Sequence, residues 1–200
     1  LAIDGINVSD NEHAYEVLAQ ARANVEGYAT IRSVALDRGF LDGKLLSRID
    51  QDALVYIPAK SNMTITADAR EIARRAEARA AQGKALDGCT YKERIERVKH
   101  GSGKTATVEE RKTVVVGIRD LPCDWWTLEG STSAANAKDF RPKLINATVV
   151  LRWDGAPKDA EKEVVILTTD PATDPFVAFD AYDDRSLIEN TCNREAKESW

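Results

Sequence analysis

A chain of 200 residues, 43% apolar and 30% charged, has material for one substantial domain or one domain with a large insertion, and this ordinary balance excludes wholesale disorder. No stretch approaches the roughly 18 uninterrupted apolar residues of a membrane span, and Leu1 to Gly5 show no basic segment leading into an apolar one. The formal net charge of −5 argues against a protein coated for nucleic acid over its whole surface. There is no initiator Met, and the chain reads as a piece of a longer protein. Cys89, Cys123 and Cys192 are odd in number and far apart, which suits reduced thiols better than a disulfide or metal framework. His13 and His100 are too isolated for a zinc site.

In chain order, Ile3 to Val8 is a short apolar segment closed by Ser9, and Ser9 with Glu12 three residues on makes a capping box. Ala14, Val17, Leu18 and Ala21 then fall at helical spacing, predicting a helix over 10–24. The β-branched run from Ala29 to Leu36 predicts a strand. It runs into Asp37-Arg38-Gly39-Phe40, where the glycine marks a turn. A short helix is expected from Leu41 to Ile49, and a second strand from Ala53 to Ile57, closed by Pro58. Strand, helix, strand in that order implies parallel strands joined by a crossover. Asp37 stands just past the carboxyl end of the first, the edge where open α/β sheets collect ligands and chemistry.

After Pro58 the composition changes. Residues 67–82 predict a surface helix, and nine Lys/Arg stand against six Asp/Glu between Asp68 and His100; the simplest reading of 68–100 is a solvated helical face, the sharper one a stretch that lies along DNA. Thr113–Ile118, Ile145–Trp153 and Glu163–Thr168 predict strands separated by turn-forming clusters. His100-Gly-Ser-Gly-Lys104-Thr105 lacks the first glycine of a phosphate loop, Val98 standing there, and reads as a turn, so no nucleotide is expected. Trp125 and Trp126 read first as core residues of a β-rich subdomain, and second as aromatics able to stack on an unpaired base. Asp174-Pro175 caps a short helix ending near Tyr182. A longer helix then carries Arg185, Glu189 and Lys197. At about 100° per residue, Tyr182, Arg185, Glu189 and Lys197 share an arc of roughly 120°. One carboxylate beside an aromatic hydroxyl and two cations suits a site that holds a metal ion and grips phosphates. A solvated face would look similar, because Arg185 and Glu189 also form an ordinary i,i+4 pair.

Ala35 to Phe40 is similar to the segment around the second catalytic Asp of bacterial insertion-sequence transposases of the DDE type. Tyr182 to Asn190, with Arg194 to Lys197, resembles the Y-x2-R-x3-E-x6-K signature of one group of them. Tyr182, Arg185 and Glu189 match its spacing, while Lys197 lies one residue beyond the usual place, held here by Ala196. Ile6 to Asp10 resembles the Asn-Val-x-Asp segment that precedes the first helix in these proteins. The resemblance covers both ends of the chain and little of the middle.

The resemblance implies an α/β protein with a partial ribonuclease H-like core and a β-rich insertion between the second catalytic Asp and the catalytic Glu. Residues 1–59 would be the partial core, 60–170 the insertion, and 171–200 the returning core helix. It further implies phosphoryl transfer on DNA, with Asp37 and Glu189 as catalytic residues and ligands of Mg²⁺ (or Mn²⁺), and with Tyr182, Arg185 and Lys197 on phosphates. Partners would be transposon ends and target DNA, with a homodimer in the synaptic complex, in the bacterial cytoplasm at the nucleoid. Rival readings are a non-catalytic DNA-binding remnant and a metal-dependent nuclease on the same core. The first Asp of the triad is expected upstream of the chain; Asp4 does not match its position. These 200 residues alone are therefore expected to give no strand transfer on a DNA end supplied with Mg²⁺, and turnover in that assay would refute the expectation.

Overall fold

The computed structural model describes residues 10–101, 107–128, 141–156, 158, 161, 163–171 and 174–184. Helix α1 spans Asp10–Val25 and strand β1 spans Ser33–Ala35. A 3-10 turn, Arg38–Phe40, and helix α2, Gly43–Ile49, lead to strand β2, Leu54–Pro58. Helix α3 is Thr64–Ala80, followed by strands β3, Cys89–His100, β4, Thr107–Cys123, β5, Lys143–Trp153, and β6, Val164–Thr168. Helix α4 occupies residues 175–184, the last described.

All six strands form one sheet in the order β1-β2-β6-β5-β4-β3, parallel between β1 and β2 and antiparallel elsewhere. The strands of 60–170 thus continue the sheet of 1–59. The join is the β2–β6 pair, in register at Tyr56↔Thr168, Ile57↔Leu167 and Pro58↔Ile166. Both faces are covered, so the period-two alternation of the strands divides between two apolar clusters. Val55, Ile57, Val116, Ile118, Val149, Val165 and Leu167 turn toward α2 and α3, whereas Tyr56, Val115, Val150, Val164 and Ile166 turn toward α4. The protein is a mixed α/β structure with helices on both faces of the sheet.

The helices follow from their sequences. Asp42 caps α2 by accepting a hydrogen bond from the Leu45 amide at 2.8 Å, and Leu45, Leu46 and Ile49 are buried on the sheet. In α3, Ala69, Ala73 and Ala76 form a small-residue face that lets the helix lie close over the strands. Arg70 and Arg74 on its other side pair with Glu163 at the start of β6.

Several expectations need correction. The strand expected over 29–36 is only Ser33–Ala35, because β1 pairs solely with β2 among the described residues and three residues complete that register. The basic stretch 68–100 is not one helical face: its second half is strand β3, paired along its length with β4. Charge on both faces of β3 hides the alternation that marks a half-buried strand; Glu93 pairs with Lys112 on one face while Lys92 and Arg94 pair with Asp174 and Asp180 of the helix side on the other. Strand β4 is far longer than Thr113–Ile118: residues 107–112 pair with β3 alone as a two-stranded ribbon, and at the other end Leu121, Pro122 and Cys123 pair with β5 alone. Helix α4 runs through Tyr182 to residue 184, and the longer helix expected after it lies outside the described residues.

Gly43 marks a close backbone approach between the two parts of the chain. A Cβ there would stand 1.8 Å from the Trp125 carbonyl oxygen, a backbone atom that cannot swing aside. Gly43→Ala is expected to destabilise the fold by about 1–3 kcal/mol, read as a lowered midpoint in urea; an unchanged midpoint would contradict the contact.

Candidate active site

Strands β1 and β2 run in parallel, and β1 carries its carboxyl end directly into Asp37. Asp37 is held extended, with φ −78° and ψ 158°, and its Oδ1 accepts a hydrogen bond from the Arg38 amide at 2.6 Å. That bond caps the 3-10 turn and fixes the carboxylate at the strand end. The Arg38 side chain reaches 123 residues along the chain: its Nη1 donates to Glu161 Oε1 at 2.7 Å. Hydrogen bonding to Glu161 is the largest influence that raises the Arg38 pKa above its ordinary value. Partial burial opposes it, and the negative charges of Tyr182 (when ionised) and Asp37 add to it.

Tyr182 is therefore within electrostatic reach of the residue adjoining Asp37. It arrives there on α4, which crosses the face of the sheet from the β3–β4 side. At the start of the helix Asp174 accepts a hydrogen bond from the Phe176 amide at 3.0 Å and pairs with Lys92 of β3 at 2.9 Å. A turn and a half on, Asp180 takes both Nη atoms of Arg94 at 2.7 and 2.9 Å, and the same guanidinium lies 4.0 Å from the centre of the Phe176 ring. Phe179 and Tyr182 then pack edge-on against Trp153 at the carboxyl end of β5, with ring centres 5.1 and 6.4 Å from it. Gly117 leaves room for the helix start, since a Cβ there would sit 3.2 Å from Pro175 Cβ.

The structure thus places Asp37, just past the carboxyl end of β1, and Tyr182, packed on Trp153 at the carboxyl end of β5, along the same edge of the sheet. Arg185, Glu189 and Lys197 lie outside the described residues, as do Asp4, Cys192 and, of the stretch from His100 to Thr105 expected to turn, residues 102–105. Among the described residues no group of three or more His, Cys, Asp or Glu side chains is placed to hold a metal ion. Asp37 itself fits a hard divalent cation, being an oxygen donor held at a strand end by a backbone hydrogen bond.

Trp126 is a core residue, 1% exposed. Trp125, with its ring centre 5.8 Å from that of Trp126, is half-buried and lines a cleft of about 530 Å³ with Asn62, Met63, Asp68 and Asp124. The core reading holds for Trp126, and only Trp125 remains on an accessible wall. Cys123 is a buried free thiol whose pKa burial pushes up to about 11, so it is an inert packing residue.

Arg38 lay inside the segment whose resemblance points to Asp37, yet nothing in the sequence assigned it a partner. Glu161 carried no signal at all, being one charge among several in a loop. No family model and no curated protein sequence matches this chain. Among the described residues no helix is long and apolar enough to cross a membrane.

The α4 anchor has a pH signature. The hydrogen bond from Lys92 is the largest influence holding the Asp174 carboxyl below its ordinary pKa, followed by that from the Phe176 amide. A depressed folded pKa means that the carboxylate stabilises the folded state above its unfolded pKa, and that this stability is lost as pH falls through the folded value. The anchor is therefore expected to loosen as pH drops below about 4, seen as faster amide exchange in α4 and altered Trp153 emission. Asp174→Asn, which keeps the cap and loses the charge, should show much less of that pH dependence; an identical acid profile would count against the anchor.

Proposed function

We propose that this chain is part of the catalytic core of a DDE-type DNA transposase, built on a ribonuclease H-like sheet, and that it serves metal-dependent phosphoryl transfer at insertion-sequence ends in the bacterial cytoplasm. The observation that carries the reading is that Asp37, just past the carboxyl end of a parallel strand, and Tyr182, on a helix that returns after a β-rich stretch of more than one hundred residues and packs on Trp153, lie along the same edge of the sheet. That is the order of parts which the resemblance of Ala35 to Phe40 and Tyr182 to Lys197 requires.

In this reading Asp37 and Glu189 hold Mg²⁺ or Mn²⁺, and the hydrogen bond from the Arg38 amide keeps the Asp37 carboxylate turned to one place. The bound ions supply activation of the attacking hydroxyl and stabilisation of the leaving oxygen. Arg185 and Lys197 would grip phosphates near the scissile bond by charge-assisted hydrogen bonds, with Tyr182 donating from its hydroxyl. The Trp153–Phe179–Tyr182 stack fixes the ring of Tyr182 from below. Because the net charge is negative, DNA is held by local cations and by the metal ions rather than by a uniformly basic surface.

Manganese binding, followed by the electron paramagnetic resonance signal of the free ion, tests the assignment. Asp37→Asn keeps an acceptor for the Arg38 amide, so a loss of binding reports the charge and not the cap. Asp37→Asn and Glu189→Gln are each expected to weaken Mn²⁺ binding by at least about tenfold with an unchanged far-ultraviolet spectrum. Equal affinity in wild type and both variants would remove the two carboxylates from any metal site and with them the proposed chemistry.

A further inference from the structure

We propose that Glu161 acts as an internal stand-in for phosphate: its carboxylate occupies the Arg38 guanidinium beside Asp37, and a DNA phosphate displaces it when substrate binds. The inference rests on the reading that the Asp37 corner takes DNA, and it names one residue that would touch the strand there and one that regulates access.

Two acidic residues in the β5–β6 connection behave differently. Glu163 is tied to α3 by Arg70 and Arg74, at 3.6 and 3.3 Å, and belongs to the framework. Glu161, two residues earlier, reaches away from α3 to Arg38. Its contact is through one carboxylate oxygen and the Nη1 atom alone. A guanidinium offers a planar fork of five donors that a phosphate can engage with two oxygens at once, so a phosphate is the better-matched partner. The pair is also accessible, with 36% of the Arg38 side chain and 45% of the Glu161 side chain exposed. An ion pair so placed is weak, and exchanging it for another anion costs little.

The position gives the exchange a purpose. Arg38 adjoins Asp37 in sequence and lies within electrostatic reach of Tyr182. With Glu161 seated, the guanidinium is neutralised and is not offered to a phosphate. Once a phosphate takes the guanidinium, Glu161 is released toward solvent and the strand is held next to the carboxylate that would carry the metal.

The test is a double-mutant cycle on the 200-residue chain, with binding of a fluorescein-labelled DNA duplex read by anisotropy across a series of KCl concentrations. Glu161→Gln is expected to tighten binding about 2- to 5-fold, the range of an exposed ion pair. Arg38→Ala should weaken binding and reduce the slope of log K against log salt by about 0.9. The decisive arm is Glu161→Gln in the Arg38→Ala background, where the gain should vanish. If the gain persists without Arg38, Glu161 acts only through general charge and the stand-in role is overturned, with DNA binding left intact. A second probe, inorganic pyrophosphate followed at the Arg38 Nε–Hε resonance, separates this inference from the DNA reading. Tighter pyrophosphate binding in Glu161→Gln with no duplex bound by any variant would keep the stand-in role and sink the DNA reading. Equal response of wild type and Glu161→Gln to both probes, including no response, would overturn the proposal.

Discussion

The pairing of β2 with β6 is the constraint on which the rest of the molecule depends. The short parallel unit of β1 and β2 could not bury both of its faces alone; a two-strand sheet offers too little apolar surface. Strand β6 supplies the missing edge through Tyr56↔Thr168, Ile57↔Leu167 and Pro58↔Ile166. The pairing is reinforced beyond the ladder: the Ala59 amide donates to Val165, the Thr169 amide to Val55, and the Val55 amide to the Thr169 hydroxyl. A one-residue slip would send Val165 and Leu167 to the α4 side and Val164 and Ile166 to the α3 side, unpacking both clusters together. The register of one three-residue ladder thus sets where β5, β4 and β3 lie, and through them the course of α4.

The route from that register to the candidate site is mechanical. Strand β3, at the far edge, holds the start of α4 through Lys92 and Arg94, and β5 receives its later turns on Trp153. The individual ion pairs are partly exposed, and each contributes modestly. Direction comes from their combination with the aromatic packing, which leaves the helix one way to cross the sheet. Tyr182 consequently comes within electrostatic reach of Arg38. A carboxylate just past β1 and a phenol on the last described turn of α4 share one edge of the sheet because β3 and β5 hold the helix on its course.

Much of this was legible in the sequence, for reasons that differ between elements. Helix α1 and α2 follow from apolar spacing, the cap expected at Ser9 lying outside the described residues, and β2, β5 and β6 from dense β-branched runs buried on both faces, where no alternation is needed to recognise a strand. Strand β3 was illegible because Lys92, Glu93, Arg94, Glu96 and Arg97 place charge on both of its faces. Those charges are satisfied by partners that exist only after folding, such as Lys112, Asp174, Asp180 and Glu110. The full length of β4 was hidden for the same reason, its distal half being a charged ribbon. At the site, Asp37 was legible from its place after a β-branched run and before a glycine. Arg38 and Glu161 were not, since an ion pair spanning 123 residues leaves no local trace.

The sequence by itself determined the local chemistry: a carboxylate following a short strand, a helix bearing a tyrosine near the end of the chain, and a β-rich stretch between them. Those are consequences of propensity, capping and turn residues, which act over a few positions. Only the tertiary structure decided that the β-rich stretch continues the first sheet, that Trp126 is core while Trp125 stays on a cleft wall, and that Arg38, beside Asp37, pairs with Glu161 on the sheet edge that also receives Tyr182. Each of those outcomes depends on which strand edges pair and which faces close on each other, and that choice is made by the burial of the whole sheet.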